Sequence, residues 1–158
     1  MAAVLDRLDP SLFPRDGELL DAQARLTGAD ETMTALTRAA RRTGRSLPAV
    51  AALLHAASLL ALYAGALLVG ARYYGSVAAC AALALALTLR HGIPRAGVNS
   101  LEGYFHPRLL VFACGVVAVA LFLRGRRWAP LALAAAAGVL HPTTAVWFLV
   151  WLGVAVWV

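Results

Sequence analysis

Polar and apolar positions separate into two regimes near residue 47. Before it, charged residues recur every few positions. After it, apolar runs cover 49–70, 76–89, 109–123 and 128–158, divided by short polar breaks. The first run is long enough to cross a bilayer, which takes about 20 residues. The second is short and can span only with Tyr73 and Tyr74 at one end and Arg90 at the other as interfacial anchors. As one helix the last run would rise about 46 Å at 1.5 Å per residue, more than the roughly 30 Å hydrocarbon core. His141-Pro142-Thr143-Thr144 divides it, because proline disfavours helix before itself and suits a helix start. The pattern predicts two short helices meeting there, with a single kinked helix as the alternative.

The pattern in 1–46 is amphipathic. Asp9-Pro10 and Phe13-Pro14 break it early, so its start reads as loop and turns. A short helix is expected from Gly17, with Leu19, Leu20 and Ala24 on one side. Asp30 is placed to cap a second, carrying Met33, Leu36 and Thr37 at helical spacing. That helix ends in Arg38, Arg41 and Arg42, which suit its dipole, with Gly44 as the stop. The fold class predicted is all-α: a polytopic transmembrane bundle of four to five short helices over 47–158, with an amphipathic segment over 1–46 on the membrane surface.

Composition sharpens this. Hydrophobic residues make up 61%, against about 45–50% in soluble domains, and the mean hydropathy is +0.75. The net charge of +6 comes entirely from arginine. These arginines are scattered between apolar runs, not gathered on one face, which argues against nucleic-acid binding. Cys80 and Cys114 sit in apolar runs without metal-ligand spacing and read as small hydrophobes. His55, inside the first run, reads as a histidine hydrogen-bonded within the bundle. No signal-peptide pattern opens the chain. Because it starts in a polar segment and stops in an apolar one, it reads as a fragment whose partners include the rest of its own full-length chain.

The candidate chemistry lies in the longest break, 90–108. Asn99-Ser100-Leu101-Glu102-Gly103-Tyr104-Phe105-His106-Pro107-Arg108 holds the only carboxylate after Glu31. Ionisable groups kept beside a membrane are costly and usually functional. Alternating the apolar runs puts 1–46, the 90–108 break and the His141-Pro142 turn on one face, where Asp9, Asp16, Glu102, His106, Arg108 and His141 can converge. Which side that face takes is contested. Seven arginines on it against four on the other favour the cytoplasm, whereas the tight Arg124-Gly125-Arg126-Arg127 turn reads as a cytoplasmic hairpin and puts it outside.

Leu8-Asp9-Pro10-Ser11-Leu12-Phe13-Pro14-Arg15-Asp16, the stretch from Gly97 to Arg108, and His141-Pro142-Thr143-Thr144-Ala145 resemble uncharacterised bacterial polytopic proteins. Those are similar to the GT-C superfamily of membrane glycosyltransferases. The resemblance implies a multi-pass protein of the bacterial inner membrane that takes sugar from a polyprenyl-phosphate donor. It makes 1–46 the first external loop and Asp16 the catalytic base.

Glycosyl transfer needs a carboxylate to deprotonate the acceptor hydroxyl and a cation for the departing phosphate. Asp16 and Glu102 are the candidate catalytic carboxylates. Asn99, Tyr104, His106, Arg108, His141 and Arg95 are the candidate substrate-binding residues, with Arg15 a further candidate for the phosphate. No cofactor is expected, although a divalent metal on Glu102, His106 and His141 is a competing use of the same groups. The competing function is a non-enzymatic membrane protein, a transporter part or an assembly subunit. Depth separates the two: an enzyme working on lipid headgroups keeps the polar site at the interface, and a transporter buries it midway.

Overall fold

The computed structural model describes residues 2–26, 28–89, 92–93, 98–99 and 101–157. Among them the chain is helical: α1 (Ala2–Leu8), α2 (Gly17–Ala24), α3 (Ala29–Arg41), α4 (Leu47–Tyr73), α5 (Val77–Thr88), α6 (Pro107–Phe122), α7 (Trp128–Gly138) and α8 (Pro142–Trp157). A two-residue antiparallel ladder, β1 (Gly92–Ile93) with β2 (Val98–Asn99), interrupts the run between α5 and α6.

The N-terminal segment is more ordered than its prolines imply. Residues 2–8 form α1, not loop. The chain then turns at Asp9, which accepts hydrogen bonds from the Ser11 amide (3.1 Å) and hydroxyl (2.6 Å). Leu20 and Ala24 of α2 are buried against Ala3, while Leu19 is 70% exposed. Gly28, not Asp30, is the N-cap of α3, and Asp30 falls in its first turn. Met33 and Thr37 face inward, one turn apart, and Leu36 points out. Gly44, at φ +74°, turns the chain out of α3; the left-handed region costs glycine little.

Leu47 to Tyr73 form one helix of 27 residues, about 40 Å long. It is long and apolar enough to cross a membrane, and only 22% of its most apolar window is buried inside the protein. The core helix of a soluble fold would be largely enclosed. Its first two turns are covered: Leu47 and Val50 pack with Val4, Met33 and Phe105. Beyond Leu54 its outer side is bare apolar surface, with Leu60 69% exposed.

The four remaining apolar helices are shorter, at 12, 16, 11 and 16 residues. α6 packs against α4, α7 and α8. The last apolar run is indeed split at His141-Pro142, and Gly125 (φ +78°) makes the tight turn between α6 and α7. His55 departs from expectation. Its Nδ1 is buried and has no hydrogen-bond partner among the described residues.

One close approach fixes the N-terminal segment to the far end of the chain. The Gly28 amide donates to the Val139 carbonyl at 2.8 Å. A Cβ on Gly28 would stand 2.7 Å from Val139 Cγ1 and 3.0 Å from that carbonyl oxygen. Gly28→Val should therefore lift α3 off the α7–α8 turn, costing about 1–3 kcal/mol. Limited proteolysis checks this: faster cleavage within 17–45 is expected, with the apolar helices still protected.

Candidate functional site

Three chain segments meet above the starts of α6 and α8. The loop before α6 delivers Glu102, Tyr104 and His106; the α7–α8 turn delivers His141; the start of α3 delivers Asp30. Phe105, packed with Val4, Met33 and Leu47, pins the loop to the N-terminal segment. Leu101 is anchored against Leu62 and Leu109. With both neighbours held, Glu102 closes onto Arg108 Nη2 at 2.9 Å, an ion pair whose side chains are 19% and 30% exposed.

The two histidines are matched. Each stands immediately before a proline that opens a helix. His106 Nδ1 accepts from the Arg108 amide at 3.1 Å. His141 Nδ1 accepts from the Thr144 amide at 3.3 Å, with the Thr144 hydroxyl at 2.9 Å. A backbone amide can only donate, so both Nδ1 atoms keep a lone pair, and a neutral ring then carries its proton on Nε2. The ring centroids are 6.1 Å apart in an edge-on arrangement. The pKa of His106 is lowered, first by burial and then by Arg108 and His141, with Glu102 opposing. That of His141 is lowered by burial and then by Arg108, against an opposing backbone hydrogen bond.

The pair borders two cavities. A chamber of about 270 Å³ includes Gln23, Asp30, Tyr104 and both histidines in its wall. A more open groove of about 470 Å³ runs from His106, Arg108, His141 and Thr144 to Phe112, Trp147 and Phe148. The first carries the acid, the second the arginine and the aromatic floor.

The sequence candidates distribute unevenly over this arrangement. Glu102, Tyr104, His106, Arg108 and His141 come together. Asp16 sits exposed at the start of α2 and lines neither cavity. Asn99 lies in β2, and Arg95 lies outside the described residues. Asp30 and Gln23 were missed as site residues. Asp30 reads locally as a helix-capping acid, and only the packing of α3 on Val139 turns it toward the chamber.

A divalent metal does not fit this donor set. Each Nδ1 is engaged by an amide, so a neutral ring offers Nε2–H and no free lone pair. Glu102 is held by Arg108, and no cluster of three metal-ligating side chains occurs among the described residues. Comparison of the chain with protein-family models, with curated proteins and with solved structures gave no match.

Two predictions follow from these contacts. Histidines with lowered folded-state pKa values stay neutral where the unfolded chain is already protonated. The unfolded state then binds more protons, so stability is full above the ordinary histidine pKa of 6.5 and falls as pH drops below it. Thermal unfolding between pH 7.5 and 5 should show that loss. A His106→Asn/His141→Asn chain, which keeps an N-cap acceptor but cannot titrate, should flatten it. The Glu102–Arg108 pair lies between exposed pairs worth about 0–1 kcal/mol and buried ones that cost about 3–5 kcal/mol to break from one side. A double-mutant cycle with Glu102→Gln and Arg108→Gln should give a coupling of about 1–3 kcal/mol.

Proposed function

We propose that the chain is a multi-pass protein of the bacterial inner membrane, and that the face carrying the histidine pair transfers sugar from a lipid-phosphate donor in the manner of the GT-C enzymes it resembles. The observation that carries this reading is the length of the helices that start at the pair. α6 and α8 both begin beside the histidine pair, and each has 16 residues, a rise of about 24 Å. The far end of α6 is the basic turn at Arg124, Arg126 and Arg127. A hydrocarbon core is roughly 30 Å thick. With the basic turn at one interface, the cluster stands close to the other, not at the midplane where a transporter site belongs. The groove supports the same reading, because Arg108 at its polar end matches a phosphate and Phe112, Trp147 and Phe148 match a hydrocarbon tail.

The residues then divide the work. Arg108, oriented by Glu102, holds the phosphate through the guanidinium fork. Asp30, in the wall of the chamber, is the carboxylate positioned for an acceptor hydroxyl, in place of Asp16. The acceptor oxygen attacks the anomeric carbon, its proton passes to Asp30, and the carbon–oxygen bond to phosphate breaks with the electron pair leaving on the phosphate. Glu102 acts through Arg108 as a positioning residue.

The face is assigned to the non-cytoplasmic side, with the Arg124–Arg127 turn in the cytoplasm. In a chain with Cys80 and Cys114 replaced by Ala, cysteines at Ser11 and Tyr104 should both react with an impermeant thiol reagent in intact cells. Labelling of one alone would break the topology, and labelling of neither would reverse it. For function, membranes containing the chain are given radiolabelled polyprenyl-phosphate hexoses, and release of polyprenyl phosphate is followed. Arg108→Gln and Asp30→Asn should each lower release about 100-fold or more at unchanged protein level. Movement of the donor across the membrane without its consumption would replace the enzyme reading with a transporter.

A further inference from the structure

His106 and His141 are the two residues that the chamber and the groove have in common. They form the wall between a cavity bearing a carboxylate and one bearing a guanidinium. Their Nδ1 atoms are committed to their own helices, through the Arg108 and Thr144 amides. Those amides are spent in the same bonds, so the helix starts are not themselves the anion binders here. What remains to each neutral ring is one Nε2–H, a donor without a lone pair. With ring centroids 6.1 Å apart, the two rings are close enough for both to reach one tetrahedral anion at ordinary hydrogen-bond lengths.

We propose that His106 and His141 act as one unit, presenting two neutral Nε2–H donors to a single phosphate ester at the junction of the chamber and the groove, without a bridging metal. This rests on the lipid-phosphate reading above and names the groups that recognise the phosphate besides Arg108. The charges around the pair set its polarity. Asp30 on the chamber side disfavours an anion there, and Arg108 on the groove side favours one, so the phosphate sits on the groove side. The sugar lies toward Asp30, Gln23 and Tyr104, and the hydrocarbon tail stays in the groove. Neutral donors suit this place: with Arg108 and Glu102 already paired at 2.9 Å, two imidazolium rings would add like charges beside the guanidinium.

The test uses the full chain in dodecyl maltoside micelles with dodecyl phosphate as probe, followed by tryptophan fluorescence, since Trp147 lines the groove. His106→Asn and His141→Asn retain the capping acceptor and remove the second ring nitrogen. Each should weaken binding about tenfold, with helix content unchanged, and EDTA should have no effect. Normal binding by both histidine variants while Arg108→Gln loses the probe would overturn the histidine unit and leave the lipid-phosphate reading standing. Absence of probe binding by the unsubstituted chain would overturn both. Loss of binding in EDTA would show a metal holding the anion and overturn the proposal. Should an Asn variant fail to fold, ¹⁵N spectra of the unsubstituted chain decide. Unprotonated Nδ1 and protonated Nε2 atoms, with Nε2 resonances that move on adding dodecyl phosphate, support the unit; protonated Nδ1 atoms overturn it.

Discussion

The apolar part of the molecule depends on how closely helices can approach α6. That helix touches α4, α7 and α8 at once, and its buried positions include Ala113, Gly115, Ala118 and Ala120. The Phe148 ring of α8 lies directly over Gly115, where even a Cβ would collide with it, and Phe112 meets the same ring edge-on at 5.8 Å. Between helices whose outer surfaces are uniformly apolar, small residues decide which faces meet, because they let backbones and large side chains come into dispersion contact. Larger residues at these positions would push α4 and α8 apart. The cleft between α6 and α8 would then no longer keep its present width.

That packing is also what assembles the polar face. α6 and α8 run from neighbouring starts, so the histidines in front of Pro107 and Pro142 are brought side by side. The N-terminal segment closes the arrangement from above through two contacts: Phe105 in the cluster of Val4, Met33 and Leu47, and Gly28 against Val139. The histidines serve fold and site together. One nitrogen of each satisfies an amide at the start of its helix, and that same bond fixes which nitrogen carries the proton.

Legibility differed from residue to residue for physical reasons. Glu102, His106, Arg108 and His141 stood out because ionisable groups are rare in an apolar context, and all four lie in one cluster. Asp30 did not stand out, since an acid in the first turn of a helix has an ordinary local reason to be there. Asp16 was conspicuous through its motif, yet α2 turns it to solvent. His55 looked like a hydrogen-bonded core histidine, but nothing in sequence shows whether a polar group reaches its Nδ1 in space.

The sequence by itself determined the helical class, the boundary near residue 47, the break at His141-Pro142, the basic turn and the short list of polar residues. These rest on local physics: hydrophobic run length, proline's fixed φ, glycine's access to positive φ, and the cost of charge in apolar surroundings. Tertiary structure alone decided that Glu102 pairs with Arg108, that two histidines 35 positions apart share a wall, and that Asp30 lines the chamber with them. Those outcomes hang on Gly28 meeting Val139 and on Phe148 seating over Gly115. Such contacts join distant segments, and their energy belongs to the shapes of two surfaces, a quantity no local pattern along one chain contains.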